Sequence, residues 1–321
     1  MSTPVLIVAY SRHENVVRLI NDLYVQGVTN VYLAIDGSRN GNAELQSKIE
    51  SSALGLAVQL GIEIRIWKRD VNLGPAVSVI TAIDWFFENV EAGIILEDDL
   101  FLSPDAVHYF QASIARYSTV EKVFMVSGSN YFETETPSSE VLATHYPVIW
   151  GWATWEDRWS DYRTAMNSLQ RANIPGSISE RWFWKIGTQR CLFGIKDAWD
   201  IPLAAYQLSV GRLTLIPPVN LVSNRGADGF AGNTHVDEWP LNIPVKTLIS
   251  TSPEREFFNN IEVSREAIET TDELFRHRIY GIRATRTLPT LISKFLDIFR
   301  YPLASRSEPL LERLNQVNFP I

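Results

Sequence analysis

The chain has 321 residues, 45% of them hydrophobic and 11% aromatic, so it can bury a large core in one or two domains. Its formal net charge of -8 argues against nucleic acid as the main partner, because phosphate binding needs a basic face. The single cysteine, Cys191, excludes an intrachain disulfide or a cysteine metal site and fits a reducing compartment; with no signal peptide and no run of membrane-spanning length, a cytoplasmic location is expected.

Val5 to Tyr10 is a continuous apolar run of the kind found in parallel strands covered on both faces, and it ends in Ser11-Arg12. A helix is predicted from about Glu14 to Gln26, with Val17, Ile20, Leu23 and Tyr24 on one face, then a strand from Val31 to Ile35 ending in Asp36-Gly37. Next come a helix from Ala43 to Leu60, a strand from Glu63 to Trp67, and the turn Asn72-Leu73-Gly74-Pro75 opening a helix from Ala76 to Val90.

Gly93-Ile94-Ile95-Leu96 reads as a buried strand that delivers three carboxylates, Glu97, Asp98 and Asp99, at its C-terminal end. Like charges so close raise one another's pKa unless a cation neutralises them, so this turn suits a hard metal ion better than it suits packing. Ser103 is expected to N-cap a helix with Pro104 at its first position, running to about Tyr117, and Val123 to Val126 is the next strand.

Strands alternating with helices in this way imply an α/β fold, a mostly parallel sheet with helices on both faces, whose ligands bind beyond the C-terminal strand ends. Ser11-Arg12, Asp36 and the three acids all fall at those ends. Neither a Gly-x-Gly-x-x-Gly after the first strand nor a Walker lysine motif is present, so an acidic metal site takes the place of a glycine-rich phosphate cradle.

From Ser127 to Thr144 the chain is polar and reads as a mobile loop at the mouth of the site. Tyr146 to Trp155, closed by Trp159, is a dense aromatic block that suits core packing and a sugar-binding platform equally, and Gly151 between two tryptophans points to a close backbone approach. Trp199-Asp200 places one acid at the start of an apolar helix, where an acid also serves simply as a dipole partner. After a strand from Leu213 to Ile216, a segment rich in Gly, Pro and Asn leads to His235.

Val5 to about His235 resembles the GT-A-type glycosyltransferases, most closely the inverting β-1,2-N-acetylglucosaminyltransferases of animal N-glycan synthesis and their bacterial relatives. The resemblance rests on four motifs in the same order: the strand ends Ser11-Arg12 and Asp36; the metal motif Glu97-Asp98-Asp99 with Ser103-Pro104-Asp105 after it; Gly151-Trp152 followed by Trp199-Asp200; and Gly226 to His235. It implies a GT-A domain over residues 1-245, with a nucleotide-sugar half (1-128) and an acceptor half (129-245), and a helical extension over 246-321. It makes Asp99 a direct ligand of Mn²⁺ or Mg²⁺, joined by His235, with Glu97 and Asp98 supporting the metal and the donor. Ser11, Arg12, Asp36, Asn72 and Gly74 would bind the nucleotide, and Asp200 would be the catalytic base. The implied partners are a nucleoside-diphosphate sugar, with UDP favoured because a carboxylate at Asp36 can accept the uracil ring N–H, and a glycan or lipid-linked acceptor.

A sugar-nucleotide nucleotidyltransferase shares the sheet and the metal acids but normally carries a glycine-rich loop after the first strand, which Tyr10-Ser11-Arg12-His13-Glu14 does not supply. A noncatalytic sugar-binding module would explain the tryptophans and leave the acids unexplained. A glycoside hydrolase would need paired carboxylates, for which Asp99 and Asp200 are candidates. Residues 274-306 carry seven Lys/Arg against one acid, Asp297, and Leu288 to Leu303 has an apolar helical face, which suits either a helix packed on the catalytic domain or, as the basic charge favours, peripheral contact with an anionic membrane.

Overall fold

The computed structural model describes residues 3–132, 141–226, 242–248, 265–279 and 308–320. Its first half alternates β1 (Val5–Ala9), α1 (His13–Val25), β2 (Asn30–Ile35), α2 (Glu44–Leu60), β3 (Glu63–Lys68), α3 (Gly74–Phe87) and β4 (Ala92–Glu97), as the apolar pattern predicts. Then come β5 (Leu100–Leu102), α4 (Ala106–Tyr117), β6 (Val123–Ser127), β7 (Leu142–Thr144), β8 (Trp152–Trp155), α5 (Glu156–Ala165), α6 (Ile178–Leu192), α7 (Asp200–Val210), β9 (Leu213–Ile216) and β10 (Val222–Asn224). α8 (Arg265–Leu274) runs into a π-turn, and α9 (Leu310–Asn315) lies near the C-terminus.

Eight strands form one sheet in the order β3-β2-β1-β4-β8-β6-β9-β7, and β5 pairs with β10 in a separate two-stranded ribbon. β3, β2, β1 and β4 are mutually parallel, and β6 and β9 parallel to each other, while β8 and β7 run antiparallel to their neighbours. The architecture is therefore mixed α/β, mostly parallel and Rossmann-like, with the 3-2-1-4 strand order of doubly wound sheets. Why β1 is apolar at every position is visible in the packing: Val5, Ile7 and Ala9 face the core shared with α1 and α2, and Leu6 and Val8 face the core shared with α3.

The segment after the acids differs from the sequence expectation. Ser103 and Pro104 do not start a helix: β5 intervenes, and α4 begins at Ala106. The Ser103 N–H donates to the Leu221 carbonyl at 2.8 Å, which holds the chain extended beside β10, so the acids lie in a tight turn between two strands. Within the expected polar loop, Leu142–Thr144 is an edge strand on β9, and residues 133–140 lie outside the described residues.

The described C-terminal segments pack onto the sheet domain. Phe275 is 1% exposed and stacks on Tyr146, with ring centroids 5.7 Å apart, and Arg276 forms an ion pair with the buried Glu180 at 3.2 Å. The basic stretch thus begins inside a packed interface, while Leu288 to Leu303 lies outside the described residues. Among the described residues no helix is long and apolar enough to cross a membrane. Leu310 and Leu314 of α9 are buried in the α3 core, Phe319 meets Trp67 edge-on, and Arg313 donates to the Leu73 carbonyl. Deleting residues 308–321 is expected to lower the melting temperature by on the order of 5–10 °C, from loss of two buried leucines. Scanning fluorimetry checks this, and an unchanged melting temperature would show that the tail does not brace α3.

Candidate functional site

Because β1 to β4 are parallel, their carboxyl ends open on one edge, and the hydrogen-bond ladder continues past each strand. Asp36 N–H donates to Ala9 at 2.9 Å, Arg69 N–H to Ile35 at 3.0 Å and Asp98 N–H to Val8 at 3.1 Å. Backbone geometry alone therefore sets Ser11, Arg12, Asp36 and the acid turn side by side.

The three acids have different environments. Asp98 is buried: its Oδ2 accepts the Tyr10 N–H at 3.0 Å and its Oδ1 accepts Arg12 Nη1 at 2.8 Å. Arg12 also lies 3.6 Å from Asp99 Oδ2 and donates to the Gly226 carbonyl at 3.3 Å. The cation demanded by the acid cluster is thus supplied in part from within the chain. Even so, burial, reinforced by Asp99, Asp98 and Asp200 and opposed by Arg12, pushes the Glu97 carboxyl up to about 8.

Asp200, far away in sequence, belongs to the same electrostatic cluster because it is anchored from two sides. Asp197 Oδ1 accepts the Ala76 N–H at 2.9 Å, which docks the turn before α7 on the first turn of α3. On the other side Trp199 stacks on Trp152 of β8 with centroids 6.0 Å apart and planes 19° apart, and Trp152 pairs with Ile95 of β4, two positions before Glu97. Burial raises the Asp200 pKa above the usual carboxylate range, opposed by Lys196 and by the N–H groups of Asp200 and Ile201 at its own helix start.

Most of the aromatic block packs, while Trp150 stays partly exposed. Tyr146, Trp152, Trp155 and Trp159 are each no more than 5% exposed. Gly151, at φ +65°, does mark a close approach: a Cβ there would lie 2.9 Å from Val222 Cγ1.

Asp36 is buried, and both its oxygens already accept hydrogen bonds, from Asn72 Nδ2 at 2.9 Å and from the Leu73 N–H at 3.0 Å. Asn72 also donates to the Gly37 carbonyl at 2.8 Å, so Asp36 and Asn72 together hold the turn that leads into Gly74 and α3. A cleft of about 790 Å³ lies against this turn, lined by Arg69, Asn72, Gly74, Asp197 and Arg313 among others. A second, of about 480 Å³, is lined by Tyr10, Ser11, Ser38, Gln46 and Lys48. Neither is lined by the acid turn, which charge rather than volume singles out.

Sequence reasoning missed the strap over the acids. Arg225 N–H donates to the Asp99 carbonyl at 3.1 Å, and a Cβ on Gly226 would lie 2.2 Å from Asp99 Oδ2. The one local signal was the glycine that opens the Gly226 to His235 segment. His235 itself lies outside the described residues. Gly226→Ala is expected to displace the Asp99 carboxylate and weaken nucleotide binding by about tenfold with little change in melting temperature. Unaltered UDP affinity in calorimetry would dissociate the strap from the acid turn.

Among the described residues no group of three or more His, Cys, Asp or Glu side chains is placed to hold a metal ion alone. The residues nevertheless fit Mg²⁺ or Mn²⁺ arriving with a nucleotide. Ions of this kind take one or two carboxylates and complete their shell with phosphates and water, and Asp99 with Glu97 offers hard oxygen donors in a turn with excess negative charge.

Neither a protein-family model nor a curated protein matches the chain. Among solved structures it is similar to HddC from Yersinia pseudotuberculosis, at 10% identity and a TM-score of 0.32, over 50% of this chain and 80% of that one. It is also similar to a protein named as a glucose-1-phosphate thymidylyltransferase from Bacillus anthracis, determined with a sucrose, at 11% identity and a TM-score of 0.33, over 50% of this chain and 74% of that one. Neither likeness bears on the site, whose reading rests on its own geometry.

Proposed function

We propose that the protein is a metal-dependent inverting glycosyltransferase that moves a sugar from a nucleoside-diphosphate sugar, UDP-linked in the first instance, to a hydroxyl of a glycan or lipid-linked acceptor. What supports this reading is the Glu97-Asp98-Asp99 turn at the carboxyl edge of a parallel sheet, with Asp200 among the charges that raise the Glu97 pKa. Asp200 takes the proton of the acceptor hydroxyl as its oxygen bonds to the anomeric carbon and the bond to the diphosphate breaks. A single base suffices for inversion. Burial raises the pKa of that carboxylate, which favours a base. Asp99 and Glu97 would hold Mn²⁺ or Mg²⁺, which when bound supplies Lewis-acid stabilisation of the departing diphosphate. Arg12 and the Tyr10 N–H hold the Asp98 carboxylate turned toward β1, and Asp36, with Asn72, shapes the turn before Gly74 against which the nucleotide would lie.

A nucleotidyltransferase reading predicts another product. Against it stands the short link Tyr10-Ser11-Arg12 between β1 and α1, which contains no glycine and whose arginine is paired with Asp98. Incubation with UDP-N-acetylglucosamine, UDP-glucose or GDP-mannose and Mn²⁺, read by mass spectrometry, is expected to release nucleoside diphosphate, and to stop in EDTA. Release of pyrophosphate from a nucleoside triphosphate and a sugar 1-phosphate, with no diphosphate from any sugar nucleotide, would replace this proposal with the nucleotidyltransferase one.

The proposal extends to the basic segment 274–306 as a contact with anionic lipid. The full chain is expected to co-sediment with phosphatidylglycerol vesicles, not with phosphatidylcholine vesicles, and to be released by salt. Equal recovery with both would remove the membrane from the proposal.

A further inference from the structure

The C-terminal tail reaches a turn that the proposed chemistry so far leaves to β2 and α3. Leu73, between β3 and α3, has both of its backbone polar groups held by side chains from remote segments. Its N–H donates to Asp36 Oδ1 at 3.0 Å, and its carbonyl accepts from Arg313 Nη2 of α9. The Gly74 N–H, the other half of that peptide unit, also faces the Asp36 carboxylate. A trans peptide points its N–H and its carbonyl in opposite directions, so Asp36 and Arg313 hold the 73–74 peptide from its two sides.

Gly74 itself has φ +75°, and a Cβ there would lie 2.2 Å from Asp197 Oδ2 and 3.4 Å from Arg313 Nη2. The glycine therefore leaves room for a carboxylate and a guanidinium to close on one turn from two segments. Asp197 Oδ1 accepts the Ala76 N–H at 2.9 Å, so Asp36, Asp197 and Arg313 together fix residues 73 to 76. The tail is seated by apolar contacts, Leu310 and Leu314 in the α3 core and Phe319 on Trp67, which leaves the Arg313 end group for the turn. Arg313, Gln316, Val317 and Asn318 line the same cleft of about 790 Å³ as Asn72 and Gly74. Asp36 and Asp197 bring negative charge to this turn and Arg313 brings positive charge, so a phosphate-bearing ligand approaching it meets a field that Arg313 makes less repulsive.

We propose that the tail is part of the donor site: Arg313 is a positioning residue that holds the Asn72–Gly74 turn in the form that receives the nucleotide, and residues 316–318 wall the cleft beside it. The identity of the ligand rests on the transferase reading; the hold of Arg313 on the turn does not. Without the guanidinium the Leu73 carbonyl loses its partner, the 73–74 peptide is free to rotate, and the Gly74 N–H leaves Asp36 with it.

The test uses the full chain. Hydrogen exchange at the Leu73 and Gly74 amides, read by NMR, is expected to speed up about tenfold in Arg313→Ala and to return most of the way in Arg313→Lys, which keeps a cationic donor for the carbonyl. Calorimetry with UDP and Mn²⁺ is expected to show binding about tenfold weaker in Arg313→Ala and recovered in Arg313→Lys, with the KM for UDP-N-acetylglucosamine raised more than kcat is lowered. Arg313 is only partly buried and the two leucines still seat the tail, so the variants fold, and their melting temperatures check it. UDP affinity equal in wild type and Arg313→Ala would overturn the proposal. So would a loss that follows the fall in melting temperature and that Arg313→Lys does not recover, since the arginine would then only brace the fold. If the wild type binds neither UDP nor UDP-N-acetylglucosamine, the transferase reading fails, and exchange at Leu73 and Gly74 still decides whether Arg313 holds the turn.

Discussion

Asp200→Asn is expected to bind UDP with Mn²⁺ as the wild type does and to lose sugar transfer by about a hundredfold or more. The substitution keeps the shape and leaves the α7 start intact, since an amide oxygen can still accept from the N–H groups of residue 200 and Ile201. It removes the ability to take a proton from the acceptor. Because burial raises the Asp200 pKa, the ionised base is present only above that raised value, so the wild-type rate should climb with pH through it, and the climb should be missing in the variant. Product release measured by mass spectrometry across pH checks both points. Transfer at the wild-type rate would move the base elsewhere, with Asp197 next, although the Asp197 carboxylate already accepts the Ala76 N–H.

Trp152→Ala is expected to cost about 3–5 kcal/mol of stability, the range for truncating a large buried aromatic side chain. Trp152 is 1% exposed, lies between β4 and β6 in the middle of the sheet, and packs on both Trp159 and Trp199. Removing it leaves a cavity that a sheet held from both sides cannot collapse into. It also frees one of the two anchors of Asp200, so transfer should fall even at temperatures where the variant remains folded. Trp152→Phe, which fills part of the cavity, should recover part of both. Urea unfolding midpoints and transfer rates below the melting temperature check this. A loss under about 1 kcal/mol would mean that β8 is not the bearing strand the packing indicates.

Sequence and structure part company at the aromatic block, after the acid turn and at Arg12. The aromatic block from Tyr146 to Trp155 is equally compatible, as a string of residues, with core and with a sugar platform, because hydrophobicity does not say which face is covered. Burial of Trp152, Trp155 and Trp159 assigns those three to packing, and Trp150 alone of the block's tryptophans keeps part of its surface exposed. Ser103-Pro104 has the local chemistry of a helix start, yet a long-range hydrogen bond to Leu221 keeps the chain extended there. Arg12, placed at the strand end by the motif, is drawn onto Asp98 and Asp99 by attraction that adjacency of acids makes inevitable but that sequence does not direct to a particular partner.

By itself the sequence determined the alternation of strands and helices, the parallel sheet covered on both faces, and the presence of three acids at a strand end. Those features are local: apolar periodicity, turn residues and run length set them within a dozen positions. Only the tertiary structure decided that Asp36 holds the turn at Asn72, that Gly226 lies on Asp99, and that two arginines share the ring of Phe101. Each of these is a contact between segments remote in the chain, fixed by which strands pair and which faces pack. Chain order carries no record of distances that arise only when the sheet closes.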